Sequence, residues 1–331
     1  MAGKPAYADQ EVLNLLDSPL KGILLVSGGI AVFGLQDVII RSLSGEYAAM
    51  EIMFVRGLVA LVPMAFLVYW DGGFTSLRVR HPYINLLRGL LMVCSYTAFY
   101  MSLAAMPIAD VTAIFFVSPL IVTLFSALFL RESVGIRRWS AVIAGFLGVL
   151  IIVQPGSSSL DPVALLPLLA SVTYAASVVI TRRIGRAQTG ASLAFIAMLI
   201  FIVASSILGG ITGDGSFAND SHPSTAFLLR AWVMPDGHDL LLIGSCGLIS
   251  ACGFYCLSQG YRIAQASLVA PFEFISMPMA VIWGIVLWNE YPPATTIIGI
   301  AIIIGSGLYA LQREAAHRRY LNTGRGVRLR L

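Results

Sequence analysis

The stretch SPLIVTLFSALFLRESVGIRRWSAVIAGFLGVLIIVQP, residues 118–155, holds two apolar runs on either side of a short charged connection. The connection carries Arg131, Glu132, Arg137 and Arg138, and neither run contains a charge. Extended back to Ile108, the first run reaches the length of about 20 residues that carries a helix across roughly 30 Å of hydrocarbon. Working outward, the whole chain divides in this way into ten apolar runs. They span approximately 21–42, 50–70, 83–105, 108–130, 137–153, 162–182, 190–211, 239–260, 266–288 and 293–312.

The basic residues crowd into every second connection. Seventeen of the 21 Lys and Arg lie in the N-terminal tail, the even-numbered loops and the C-terminal tail. These are Lys4, Lys21, Arg78, Arg80, Arg131, Arg137, Arg138, Arg182, Arg183, Arg186, Arg262, Arg313, Arg318, Arg319, Arg325, Arg328 and Arg330. The odd-numbered loops hold Arg41 and Arg230, while Arg56 and Arg88 fall inside or at the rim of apolar runs. Lysine and arginine resist translocation, so the alternation predicts ten spans with both termini in the cytoplasm of a cell that would carry the protein in its inner membrane.

Composition agrees. The 331 residues are 58% hydrophobic and 11% charged, with mean hydropathy +0.85, against about 25% charged in soluble domains. Ten-residue alternation of the kind a β-barrel needs is missing, and backbone polar groups in lipid must bond within their own segment, so the fold class is all-α. The net charge of +4 sits in loops and the Arg-rich tail, where topology and anionic lipid explain it without nucleic acid. Cys94, Cys246, Cys252 and Cys256 fall within predicted spans and are expected as free thiols. The first apolar run looks too long for a signal-peptide core and is read as a retained helix after a tail at 1–20.

The two halves of the chain echo one another. Ala98-Phe99-Tyr100, Ile108-Ala109-Asp110, Ser118-Pro119 and Leu130-Arg131-Glu132 reappear as Gly253-Phe254-Tyr255, Ile263-Ala264-Gln265, Met277-Pro278 and Trp288-Asn289-Glu290. Each fragment falls in the corresponding helix of its half. Five is an odd number of helices, so the second copy must enter the membrane upside down. Inverted repeats with a site near the midplane are the architecture of secondary transporters.

The stretches 98–154 and 253–313, the latter including APFEFISMPMAVIWGIVLWNEYPPATTIIGIAIIIGSGLYALQR, resemble the drug/metabolite transporter superfamily in the form of two tandem EamA-type repeats. The likeness covers 21–154 and 162–312, leaving the tails 1–20 and 313–331. It implies a ten-helix carrier. Within the superfamily the chain is similar to bacterial uptake carriers for amphipathic metabolites such as riboflavin or S-adenosylmethionine; exporters of amino acids or drugs share the fold. The second copy departs in one respect: Pro278 to Glu290 is one residue shorter than Pro119 to Glu132.

Ionisable groups in a bilayer each cost roughly 2.5–3.5 kcal/mol on insertion, so those present need a reason. Asp37 and Arg41 share a face of the first helix, four residues apart. With Glu51 and Arg56 of the second helix they could form one charged cluster, either an outer gate and substrate site or a structural ion pair with Arg41 and Glu51 snorkelling. Glu273 lies about 10 Å along the ninth helix at 1.5 Å per residue. It sits among Pro271 and Pro278, where freed carbonyls permit a kink. It is read as a proton or cation site or, alternatively, as a salt-bridge partner of Arg88. Pro119 marks the matching kink in the first half. Asp110 is expected as a cap after Pro107, and Glu132 and Glu290 as structural or gating residues at helix ends. Tyr96 and Tyr100 share a face and, with Tyr255 and Trp283, could stack on a planar substrate or simply pack.

Small residues four apart, Ala141/Gly145/Gly148 and Ala301/Gly305, permit close helix approach within the bundle or in a homodimer. The loop 212–238 is read as an ordinary external loop, within which 224–234 could alternatively form a small interfacial helix. No phosphate-cradling loop exists, which argues against direct ATP drive. His81, His222, His238 and His317 lie in loops or tails without metal-ligand spacing. No cofactor or metal is expected, and a polytopic membrane enzyme is the alternative of another class.

Overall fold

The computed structural model describes residues 6–77, 81–130, 136–154, 162–184, 188–218, 222–264, 266–306 and 308–309. Glu132, Arg131, the basic tail 313–331 and the start of the chain lie outside the described residues. Every regular element among the described residues is helical. The long helices are α1 (Ala6–Leu43), α2 (Ala49–Trp70), α3 (Pro82–Leu103), α6 (Ile136–Val153), α7 (Leu165–Ile184), α8 (Gly190–Thr212) and α10 (Gly237–Ile263). Between them lie α4 (Ile108–Phe115), α5 (Ser118–Phe129), α9 (Pro223–Leu229), α11 (Ala266–Val269) and α12 (Ser276–Trp288), with α13 over Ala294–Ser306 at the end. Among the described residues, seven segments are long and apolar enough to cross a membrane, and Ile143–Val153, Phe272–Trp288 and Ala294–Ser306 are shorter apolar helices. Helix α1 begins at Ala6, so the expected tail at 1–20 is helical over most of its length.

The outward faces are apolar. On α2, Leu58, Val62, Phe66 and Tyr69 form an exposed stripe at helical spacing, with Val62 at 75% exposure. An exposed apolar stripe on a helix long enough to span a bilayer needs lipid to cover it. The protein is a multi-pass membrane protein.

Two expected continuous spans are broken. The run 108–130 divides at Phe116 and Val117, one residue ahead of the Ser118-Pro119 pair. The run 266–288 divides into α11, a 3-10 turn at Ala270–Ile275 with Pro271 near its start, and α12. Proline lacks a donor and crowds the preceding turn, so the regular ladder stops just before it. Pro278, in the first turn of α12, is exposed and interrupts nothing there.

Helices from the two halves pair in a reciprocal manner. Helix α1 packs along α10, and α3 along α7; α2 meets α8, α4 meets α12, and the 3-10 turn meets α5. Small residues make the closest approaches possible. A Cβ on Gly22 would stand 2.6 Å from the Ala264 Cβ, and one on Gly253 2.6 Å from the Phe33 ring. Gly148 of α6 faces α13, where a Cβ would stand 3.0 Å from the Gly299 carbonyl oxygen. Gly145 is filled by Leu120, so Gly145 and Gly148 serve packing within the chain, whereas Ala301 and Gly305 face outward.

Within the loop expected at 212–238 a short helix forms and docks against the bundle. Helix α9 buries Phe227 to 1% exposure. Ser224 Oγ donates to the Met101 carbonyl at 2.6 Å, and Arg230 Nη1 to the Ser44 carbonyl at 2.9 Å. Trp232 fills the space left by Gly209 and Gly213. The apolar side of 224–234 thus finds protein rather than the lipid interface.

Candidate functional site

A cavity, partly open to solvent, lies where the two broken helices meet. Its wall takes Ile30, Phe33, Gly34 and Asp37 from α1, Ser95, Tyr96 and Phe99 from α3, and Ile108, Thr112 and Phe115 from α4. The second half contributes Tyr174, Leu257, Ser276, Ala280 and Trp283. Helix α4 faces α12 here because both breaks fall at the same level, where Phe116 and Phe274 lie 6.2 Å apart.

The cavity wall is aromatic. Tyr96 is the hub, with ring centroids 6.0 Å from Phe33, 5.7 Å from Tyr100, and 5.4 Å from both Phe201 and Phe254. Edge-to-face and tilted packing holds these rings rigidly. Asp37 reaches the cavity and has no hydrogen-bond or ion-pair partner among the described residues.

Behind Tyr96 stands a buried polar ring. Arg56 Nη1 donates to Tyr100 Oη at 2.9 Å and to Ser250 Oγ at 3.4 Å. Gln36 Nε2 donates to the same Tyr100 oxygen at 2.8 Å, and Ser250 Oγ returns a bond to Gln36 Oε1 at 2.6 Å. Four helices, α1, α2, α3 and α10, are tied by this loop. Arg56 is 1% exposed, and its Nε and Nη2 have no partner among the described residues. Its guanidinium lies 5.3–5.8 Å from the ring centres of Tyr100, Tyr96 and Phe201, a cation–π environment.

Below the cavity, Glu273 is fully buried in the 3-10 turn. Tyr174 Oη donates to its Oε1 at 2.8 Å, and Tyr261 Oη donates to the same oxygen. Its Oε2 has no partner among the described residues. Tyr174 also lines the cavity, so one phenol connects the cavity to this carboxyl.

Of the four charges that could form one cluster, Arg41 and Glu51 find partners elsewhere, while Asp37 and Arg56 interact only through space. Arg41 turns away from Asp37 and clasps Glu290, Nη1 to Oε2 at 2.8 Å and Nη2 to Oε1 at 2.5 Å, beneath the Trp288 ring at 4.4 Å. Glu51 accepts from the Val233 backbone N–H at 3.2 Å. A bidentate fork outside the helix end offers Arg41 better geometry than an i, i+4 neighbour. Arg88 does not meet Glu273 either. It donates to Thr181 Oγ1 at 2.6 Å, the Leu193 carbonyl at 2.9 Å and Ser258 Oγ at 3.3 Å. Asp110 accepts from Thr296 Oγ1 at 2.6 Å, joining α4 to α13. Tyr255 is half-buried on α10, and the cavity wall takes Leu257 from that helix instead. Gln36, Tyr174 and Tyr261 had gone unnoticed in the sequence. Gln36 and Tyr174 are polar groups inside long helices and Tyr261 lies in the last turn of α10, the one signal available.

A helical membrane protein whose two halves enclose an aromatic, acid-bearing cavity at paired helix breaks has the build of a small-molecule carrier. Residues 20–154 and again 162–311 match the EamA-like transporter family, and the chain belongs to that family. It is 30% identical over 321 residues to a riboflavin transporter of Rhizobium johnstonii, covering 94% of this chain and 98% of that one. It is 22% identical to an S-adenosylmethionine uptake transporter of Rickettsia prowazekii, over 91% and 96% of the two chains. A solved crystal structure superposes at TM-score 0.63 with 16% identity, over 87% of this chain and 96% of the other, a likeness of fold alone. The protein is a membrane transporter of small metabolites, not an enzyme.

Proposed function

We propose that the chain is a secondary uptake carrier for a riboflavin-like or S-adenosylmethionine-like metabolite, working by alternating access in the inner membrane. In this reading ten spans form two inverted five-helix repeats, with both termini in the cytoplasm. The reciprocal pairing of α1 with α10 and α3 with α7, and the pairing of like helices α2 with α8 and α4 with α12, support an inverted repeat. The basic loops support the orientation. The observation that carries the proposal is the cavity itself, placed where both Pro-associated breaks meet and lined by both halves.

The halves would rock about this cavity. Arg41 and Glu290 join α1 to the end of α12 at the outer side, so their separation would accompany outward opening. Glu273, with one oxygen unpartnered and a phenol leading to the cavity, is the coupling carboxyl. Ala301 and Gly305 are available to a homodimer contact. The test is uptake of labelled riboflavin into proteoliposomes, with and without an inward proton gradient, for wild type and Glu273→Gln. Gradient-driven uptake that becomes indifferent to the gradient in Glu273→Gln is expected. Uptake unaffected by either change would leave a facilitator and return Glu273 to packing. Outward transport only, from loaded vesicles, would favour the exporter alternative.

A further inference from the structure

We propose that the cavity selects a substrate carrying a positive charge on or beside a planar ring, and that Asp37 reads the charge. The inference rests on the carrier reading above and narrows its substrate class. Among the described residues, Asp37 is the sole charged side chain in the cavity wall, and its carboxylate has neither hydrogen-bond nor ion-pair partner. A carboxylate in apolar surroundings with no donor or cation in contact is unfavourable, and a cation docking there relieves that cost. The rest of the wall suits the same ligand. Phe33, Tyr96, Phe116 and Trp283 offer aromatic surface to a flat ring and a π-field to a cation.

The charges behind the wall point the same way. Glu273 stands one residue back, bonded to the Tyr174 hydroxyl that belongs to the wall. Arg56 is the opposing charge and acts on Asp37 through space, but no ion pair joins them and Arg56 is 1% exposed behind Tyr96 and Tyr100, outside the cavity wall. Arg41 is already neutralised by Glu290. Two acids therefore face one base around the cavity, and an anionic group entering it would meet Asp37 first. A neutral ring gains the stacking but leaves the carboxylate bare.

The experiment is calorimetric binding to the purified full chain in nanodiscs, using probe pairs that differ in charge but little in shape. S-adenosylmethionine and S-adenosylhomocysteine differ by one methyl group and the sulfonium charge; 1-methylquinolinium and quinoline differ similarly. The cation of each pair should bind about tenfold more tightly than its neutral partner. In Asp37→Asn that ratio should fall to about twofold or less, while Asp37→Glu keeps most of it. Monodispersity and melting temperature verify folding of both variants. Equal affinities within each pair, an unchanged ratio in Asp37→Asn, or no binding of either cation would overturn the proposal. Riboflavin uptake measured alongside separates the two readings. Uptake without any cation preference keeps the carrier and removes the role of Asp37. A charge preference without uptake of any probe keeps the cation site and removes the carrier reading.

Discussion

Arg56 and Arg88 are both buried to 1% exposure in the apolar interior, yet their surroundings differ in kind. Arg88 spends all three nitrogens on oxygens of three other helices: Thr181 of α7, Leu193 of α8 and Ser258 of α10. Arg56 spends one nitrogen and leaves two without partners among the described residues, facing aromatic rings beside the cavity. A guanidinium with every nitrogen engaged is a fastener. One with donors in reserve sits where neighbouring groups must move, because a fully satisfied network there would hold a single arrangement. Burying a charge without full compensation costs stability, so its retention at the cavity argues for a role in transport.

The largest expected effect tests the fastener. Arg88→Met removes three hydrogen bonds from a charged donor that ties three other helices together, and should cost about 3 kcal/mol. A fall in melting temperature and in monodisperse yield from detergent would show it; a variant as stable as wild type would erase the distinction between the two arginines. Arg56→Met should leave stability within about 1 kcal/mol, because an incompletely paired buried charge gives way to an apolar chain. Its transport rate should nevertheless fall about tenfold, since the Tyr100–Ser250–Gln36 loop loses its centre. Loss of folding without a selective loss of transport would place Arg56 beside Arg88 as a fastener.

A smaller effect is expected at the Arg41–Glu290 pair, whose side chains are 11% and 27% exposed. Arg41→Gln or Glu290→Gln should cost about 1 kcal/mol or less, and should raise substrate exchange by easing outward opening. The double exchange Arg41→Glu with Glu290→Arg should restore much of the wild-type rate. If the single variants leave exchange unchanged, the pair is only a surface tie. Smallest of all, Tyr255→Phe should stay within about twofold of wild type in uptake and stability, because removal of a half-buried hydroxyl far from a cavity wall usually costs little. A marked loss there would mean that the aromatic wall extends further along α10.

The comparison also marks how far the residues could be read in one dimension. Glu273 stood out because an acid among Pro271 and Pro278 in an apolar run is costly wherever the helix goes. Its partner Tyr174 lies 99 residues away and looks like any tyrosine in a span. Arg56 was legible as deep and functional for the same reason, whereas its neighbour Gln36 was passed over beside the more conspicuous Asp37. The four-charge cluster failed on geometry. Arg41 and Asp37 share a helix face, but Glu290, 249 residues away, offers a two-pronged fit under Trp288.

Sequence alone determined that this is an all-helical membrane carrier of the EamA type and where its apolar runs lie. Hydropathy, charge and proline act locally, through the cost of moving each residue into lipid or of breaking its own helix, so their effects survive in one dimension. Tertiary structure alone decided that the two breaks meet to shape the cavity, that Asp37 is left bare in it, that Arg88 is fastened and Arg56 is not. Those outcomes depend on which distant helices approach closely enough for side chains to bond. That approach is set by packing of glycines such as Gly22, Gly253 and Gly148 against the other half, a property of the assembled bundle rather than of any segment.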